Sequence, residues 1–264
     1  MKRMQPLYHA KNVLRTFYSG LLCPQPCRLC GSISEAGLPL CIHCIQTEFK
    51  PYIGFDDSRD SQKAEARCKH CGKILISEHE YCTHCRPSDG EPADGGTVQK
   101  KNPACDRIFT LFPYIGLGQK LLPIWKNNNI RTFSTVFAPL IHSFFTQHQG
   151  LVNIPLVPVP PRPKKLREKG WDQIEDLAKD LSIYPSLAIY RCLKRQDGIP
   201  QKKLSKAGRA VNLQGKIRLA AKTVPDKLML LDDVMTTGAT LEACARTLKA
   251  AGCKEVYGLC LFFD

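Results

Sequence analysis

Apolar positions recur at two periods in the C-terminal part of the chain. Phe133, Val136, Phe137, Leu140, Ile141, Phe144 and Phe145 fall at helical spacing, with Pro139 a predicted kink. Leu151–Val159 is a strand-like apolar run that ends in prolines. Trp171, Ile174, Leu177, Ala178 and Leu181 trace a second helical face. Lys227–Leu231 predicts a short buried strand, Thr240–Ala250 a helix closed by Gly252, and Val256–Phe263 a last strand. Strands alternating with helices predict an α/β domain over 105–264, with a parallel sheet flanked by helices. Upstream, residues 87–104 (PSDGEPADGGTVQKKNPA) hold almost nothing apolar and predict a flexible linker. No apolar run reaches the roughly 18 residues of a spanning helix.

Residues 20–86 follow neither period and are organised by cysteine. Cys27, Cys30, Gly31, Cys41, His43 and Cys44 recur as Cys68, Cys71, Gly72, Cys82, His84 and Cys85, each displaced by 41 positions. This duplicated C-x2-C-x10-C-x2-C pattern predicts a double zinc-ribbon module. Two close cysteine pairs supply the tetrahedral sulfur set that zinc prefers, and Gly31 and Gly72 allow a tight turn after each first pair. Four thiolates leave no open coordination position, so two structural ions are expected, and modules this small draw their folding energy from the metal. Redox chemistry is the competing use of Cys-x-x-Cys, and four pairs at repeated spacing argue against it. Each module could hold its own ion, or Cys41/Cys44 and Cys68/Cys71 could share one; one ion per module is favoured. His43 and His84 are expected to be exposed. Cys23, Cys105, Cys192, Cys244, Cys253 and Cys260 are scattered, and most are expected to be buried small apolar residues.

Composition adds a charge argument. The 264 residues carry a formal +14, which two four-thiolate zinc sites would lower to about +10. Between Arg162 and Arg218 stand 15 Lys/Arg against 6 Asp/Glu, or +9. Such a concentration favours a polyanion, either a phosphorylated small molecule or nucleic acid, over a merely solvated surface. The basic N-terminus is followed by neither a long apolar stretch nor a cleavage site, so a cytoplasmic protein without a signal peptide is expected.

The chemistry concentrates in Leu228–Leu241, LMLLDDVMTTGATL. An apolar strand runs into Asp232-Asp233, then Thr236-Thr237-Gly238-Ala239-Thr240, where a helix starts. Backbone N–H groups and a helix N-terminus can surround a phosphate, threonine hydroxyls add donors, and Gly238 permits close approach. The two carboxylates could accept hydrogen bonds from sugar hydroxyls or help hold a divalent metal. Neither a Walker A loop nor a dinucleotide fingerprint occurs.

These residues resemble the phosphoribosyl-pyrophosphate (PRPP) motif of type I phosphoribosyltransferases. Val157–Gln173, with PRPKKLREKGWDQ, resembles the pyrophosphate-side loop of the ComF/ComFC (GntX-like) family of competence-associated phosphoribosyltransferase-like proteins. Pro200-Gln201, Leu204-Ser205, Arg209 and Asn212 resemble that family's flexible hood loop, and Cys105-Asp106-Arg107 and Trp125-Lys126-Asn127 its junction region. The resemblance covers nearly the whole chain after the first twenty residues. Asp172 stands where Asn is usual, Ile217 where Phe is usual, and two cysteine modules exceed the single finger of shorter members.

The resemblance implies a type I phosphoribosyltransferase fold preceded by the zinc-binding module. It implies that Asp232 and Asp233 contact ribose hydroxyls and that Thr236, Thr237, Gly238, Ala239 and Thr240 cradle the 5′-phosphate. In the family's enzymes a nucleophile displaces pyrophosphate from C1 of PRPP with Mg²⁺ bridging. Among the basic residues Arg162, Lys164, Lys165, Arg167 and Lys169, the first and fourth are the individual candidates for the pyrophosphate. Thr236 stands where purine-salvage members often carry an Asp, so no general base is evident and the catalytic residue is unassigned. Two functions follow. One is a DNA-uptake (natural transformation) protein that binds PRPP and incoming single-stranded DNA, with a translocase ATPase and a recombination mediator as partners. The other is an active Mg²⁺-dependent phosphoribosyltransferase on an unidentified acceptor. Trp171, Tyr184 and Tyr190 are the only aromatics in the basic stretch, and Trp171 is expected in the core, so base-stacking platforms are not evident.

Overall fold

The apolar runs at the C-terminus become adjacent parallel strands. The computed structural model describes residues 25–34, 37–49, 68–70, 75, 80, 81, 85, 103–128, 130–196 and 216–263. The expected linker, up to residue 102, lies outside the described residues, as do Cys23, Cys71, Gly72, Cys82, His84 and the hood segment 200–212.

Four strands, β3 (Arg107–Pro113), β4 (Leu156–Pro158), β7 (Lys227–Met235) and β8 (Glu255–Phe263), form one sheet in the order β3-β8-β7-β4. All three pairings are parallel. Between them lie α2 (Gln119–Asn127), α3 (Phe133–Gln147), α4 (Pro163–Lys169), α5 (Gln173–Leu181) and α6 (Ala239–Ala250). The predicted α/β class, a parallel sheet flanked by helices, is therefore what the chain adopts. Pro139 lies inside α3 as expected, and Gly252 adopts φ +100° after α6. No helix of the described residues is long and apolar enough to cross a membrane.

Two boundaries depart from the sequence reading. Strand character in Leu151–Val159 is confined to Leu156–Pro158, because Gln149–Leu151 forms a tight helical turn and Asn153 takes φ +71°. In the other direction, β7 runs four residues past Leu231, carrying both aspartates inside the strand. Its ladder continues through Asp232↔Cys260 and Met235↔Phe263.

Alternation along β7 sorts its side chains to two faces. Met229 and Leu231 join a core with Trp125, Phe133, Phe137 and Ile141, whereas Leu228 and Leu230 join one with Cys244, Leu248 and Val256. Five of the six scattered cysteines (Cys105, Cys192, Cys244, Cys253 and Cys260) are buried in that second core, as expected.

The N-terminal residues reach into the first core. A short antiparallel pair, β1 (Gln25–Pro26) with β2 (Ile33–Ser34), precedes α1 (Ile42–Phe49). Leu40 and Phe49 are fully buried, and the Phe49 ring stands 5.0 Å from Phe112 and 6.0 Å from Phe137, edge to face. Such aromatic contacts add about 0.5–1.5 kcal/mol beyond area burial. From the second cysteine module, His70 O accepts a hydrogen bond from Ile108 N at 2.7 Å, and Cys68 is buried in the second core. The cysteine-rich region thus shares its apolar packing with the sheet domain.

Candidate functional site

The first cysteine module gathers its four sulfurs. Cys27, Cys30, Cys41 and Cys44 have their Sγ atoms all within 4.8 Å of one another, and Cys30 Sγ is 3.7 Å from Cys41 Sγ. A tetrahedron with Zn–S of about 2.3 Å needs S···S of about 3.8 Å, so the set fits zinc. Gly31 takes φ +78° in the turn after the first pair, as its position predicts. Packing four thiols this closely opposes ionisation without a cation: burial and the neighbouring sulfurs push Cys44 upward. Cys30 is drawn down to about 6, first by hydrogen bonding from Ser32. A divalent ion would resolve this conflict. This module collects its own four ligands without drawing on Cys68. Of the second module's four cysteines, Cys68 and Cys85 are described. His43 is exposed on α1, as expected.

The second site forms at the C-terminal end of β7. Because consecutive residues of a strand point to opposite faces, Asp232 and Asp233 meet different neighbours. Asp233 is buried. Lys126 Nζ, from the last turn of α2, donates to its Oδ1 at 3.0 Å, and Gln173 Nε2 donates to its Oδ2. Lys165 Nζ in turn donates to Gln173 Oε1 and, at 2.8 Å, to Asp172 Oδ2. The Asp at 172 has a structural use: its Oδ1 caps α5 by accepting from Ile174 N at 2.9 Å and Glu175 N at 3.3 Å.

Asp232 is half-buried, and among the described residues no cation forms an ion pair with it. Its Oδ1 accepts from Asp233 N at 2.9 Å; among the described residues Oδ2 has no hydrogen-bond partner. Burial, and next the Asp233 carboxylate, push Asp232 up to about 8. A single carboxylate with an uncommitted oxygen suits a magnesium ion that takes most of its ligands from water and phosphate.

Beyond the aspartates the strand gives way to the threonine loop. Thr236 and Thr237 are exposed, and Thr237 Oγ1 accepts from Ala239 N at 3.4 Å. Gly238 adopts φ +69° with nothing within 4 Å of a would-be Cβ, so the restriction to glycine is conformational, not steric. Ala239 and Thr240 open α6, whose first turn has no other side-chain cap. Its N–H groups are therefore available to an anion. Beside the loop lies a cleft of about 220 Å³ lined by Tyr114, Leu122, Pro123, Lys126, Asn127, Val234 and Thr236.

The basic run divides. Arg162 enters from the loop after β4, and Pro163 starts α4, which Gly170 closes at φ +72°. Lys165 is committed to Asp172 and Gln173, and Lys169 Nζ donates to Lys126 O. Arg162 and Arg167 remain exposed. Arg195, absent from the sequence reading, is half-buried and close enough to Arg162 and Asp232 to feel both charges. Its signal was alternation: Leu193, Arg195, Ile217 and Leu219 share a period of two.

Two outcomes follow. Because α1 carries both Cys44 and Phe49, removing metal with a chelator should lower the unfolding midpoint of the whole chain; a sheet-domain transition that does not move would separate the module from it. Asp232 binds its proton more tightly folded than unfolded, where Asp titrates near 4. Stability should therefore fall as pH rises from about 4 towards 8, and Asp232→Asn should remove that part of the slope. Denaturant midpoints should then favour the variant increasingly with pH; a pH-independent difference would contradict the shift.

No protein-family model matches this chain. Competence protein F of Haemophilus influenzae is 26% identical over 226 residues, 82% of this chain and 93% of that protein. Competence protein ComFC of Streptococcus pneumoniae is 28% identical over 238 residues, 87% of this chain and 96% of that protein. A hypoxanthine phosphoribosyltransferase from Staphylococcus aureus aligns with 52% of this chain and 64% of its own, less than two thirds, at 13% identity and a TM-score of 0.28, too slight a likeness to carry an argument. The identity, which extends over most of this chain and nearly all of both competence proteins, supports the ComF/ComFC family.

Proposed function

We propose that this is a competence-associated, phosphoribosyltransferase-like protein that binds PRPP at the end of β7 and handles incoming single-stranded DNA. The observation that carries the PRPP reading is the order of groups at one strand end. Two carboxylates for the ribose hydroxyls are followed by an exposed Thr236-Thr237, a left-handed Gly238 and a helix start with open N–H groups. Magnesium would enter with PRPP through Asp232 and neutralise charge on the pyrophosphate. Arg162 and Arg167 are the exposed cations on the side from which that pyrophosphate would project. Two structural zinc ions would hold the cysteine modules, the first on Cys27, Cys30, Cys41 and Cys44, the second on Cys68, Cys71, Cys82 and Cys85.

The DNA role rests on the names of the two relatives and on the basic balance, and it brings a translocase ATPase and a recombination mediator as partners. Contact would be mainly to phosphates. Trp171 is buried, Tyr184 stacks on His142 at 4.2 Å, and the Tyr190 hydroxyl donates to Thr223 O at 2.6 Å, which leaves no exposed stacking row among them.

Turnover is the second reading, an Mg²⁺-dependent phosphoribosyltransferase, and the cleft beside Thr236 favours it by offering space for an acceptor. No carboxylate or histidine lines that cleft among the described residues.

Calorimetric titration of the full chain with PRPP and magnesium tests the proposal. Binding is expected, and the double variant Asp232→Asn, Asp233→Asn should weaken it by about 100-fold, since hydrogen bonds to charged groups contribute roughly 1.5–3 kcal/mol each. Equal affinity in the variant would remove the assignment. In the same preparations, affinity for a single-stranded oligonucleotide should drop at least about tenfold between roughly 50 and 200 mM salt. A flat salt response would exclude the DNA role.

A further inference from the structure

Single-strand binding calls for cations to meet phosphates and planar groups to meet bases. In the basic stretch, the hairpin β5 (Leu193–Arg195) with β6 (Ile217–Leu219) exposes Lys194 and Arg218 and carries no ring. Rings gather instead at the N-terminal ends of β3 and β8, the end of the sheet away from the aspartates. The parallel register sets Arg107 beside Tyr257. Alternation puts Arg107, Phe109 and Tyr257 on the face that, farther along, buries Leu111, Leu259 and Leu261 in the first core. The helix over that face, α3, stops at Gln147 and is followed by the tight turn Gln149–Leu151. Phe144 and His148, at its last turn, are what it brings to the strand starts.

These five side chains are continuous with one another. The Phe109 ring lies 5.5 Å from Phe144, 6.1 Å from His148 and 6.5 Å from Tyr257. His148 stacks on Phe144 at 4.1 Å with 29° between the planes, and its Nδ1 is 2.8 Å from Phe144 O, which fixes the ring. The Arg107 guanidinium sits over Phe109, 4.7 Å from the centroid. Phe109, Phe144, His148 and Tyr257 are half-buried, and Arg107 is exposed. Two planar groups, a guanidinium and an imidazole, are thus each laid on a phenyl ring. The carboxylates beside them are engaged: Lys249 holds Asp106 at 2.8 Å, Lys227 holds Glu255 at 2.8 Å, and the Tyr257 hydroxyl donates to Glu255.

Composition selects the occupant. The exposed large aliphatic residues Ile33, Ile42, Ile115 and Leu166 lie on other elements, so the patch lacks the side chains that suit an apolar protein partner. Planar groups with a guanidinium among them suit bases, whose faces stack on rings and on arginine alike. A chain with a formal charge of +14 also draws a polyanion towards it.

We propose that Arg107, Phe109, Phe144, His148 and Tyr257 form a stacking platform for the bases of single-stranded DNA. Tyr257 pairs with Met229, which puts the platform roughly 20 Å along the strand from Thr236, at about 3.3 Å per residue. The platform rests on the DNA reading, adds base contacts to the phosphate contacts, and is a surface apart from the end of β7.

The test compares binding of the full chain to a thymidine oligonucleotide and to an abasic oligonucleotide of equal length, by fluorescence anisotropy at one low salt concentration. The parent should favour the thymidine strand by about tenfold or more. The double variant Arg107→Lys, His148→Ala keeps the charge and removes both outer planes. It should lose about tenfold on the thymidine strand and stay within about twofold on the abasic one. His148→Phe retains a ring on Phe144 and should stay within about twofold of the parent on both. Where the double variant does not fold, Arg107→Lys alone, a change at an exposed position, should still lose about threefold on the thymidine strand only. An unchanged preference for the thymidine strand in the variants overturns the platform, as do equal losses on the two strands. A parent that binds both strands equally overturns the platform and leaves the phosphate contacts standing. A parent that binds neither overturns the DNA reading with it.

Discussion

Two adjacent carboxylates at the end of a strand buried on both faces are the constraint around which this domain is arranged. β7 is covered on one side by α2, α3 and α5 and on the other by α6, so neither Asp232 nor Asp233 is free to discharge into bulk water. Charge in such a position is costly unless paired. The fold answers differently on its two sides. Asp233 receives Lys126 and Gln173, and Gln173 is held by Lys165, which also reaches the Asp172 cap of α5. The end of α2 and the first turns of α4 and α5 are thereby fixed against one carboxylate. Asp232 instead is pushed up to about 8 by burial and the Asp233 charge, and among the described residues no cation pairs with it. One face of the strand end is thus closed by paired side chains, and among the described residues the other is not.

The cysteine module is mechanically close to that arrangement. α1 carries Cys44 in its first turn and Phe49 in its last, so one helix joins the sulfur cluster to the main core. Phe49 packs on Phe137, which lies 5.0 Å from Trp125, and the next residue along α2 is Lys126. Three aromatic rings thus connect α1 to the residue next to the one that pairs with Asp233.

Much of this was legible in the sequence where local order carries the information. LMLLDDVMTTGATL lists strand, carboxylates, left-handed glycine and helix start in the sequence in which they occur. The cysteine spacing pointed to a sulfur cluster, and Cys27, Cys30, Cys41 and Cys44 do gather their sulfurs. The length of β7 was not legible, because charged residues end an apolar run without ending a strand whose ladder continues beside β8. Lys126 was visible as a residue, but its partner stands 107 positions away, and only the fold brings them together. Arg195 was obscured by its surroundings: in a stretch of many lysines and arginines, a single inward position looks like its solvated neighbours until the pairing of Leu193–Arg195 with Ile217–Leu219 is known. Leu151–Val159 erred the other way, since apolar composition alone does not tell a strand from a tight turn that packs on the core.

If the end of β7 is a phosphorylated-ribose site, amide hydrogen exchange of the full chain is its most direct test, compared with and without PRPP and magnesium. Amides whose N–H groups take up ligand oxygens should exchange more slowly. The account predicts slowed exchange across Thr236–Leu241, with Ile42–Phe49 unaltered. Exchange at Thr236–Leu241 that does not respond to PRPP, at concentrations that slow exchange elsewhere in the chain, would contradict it.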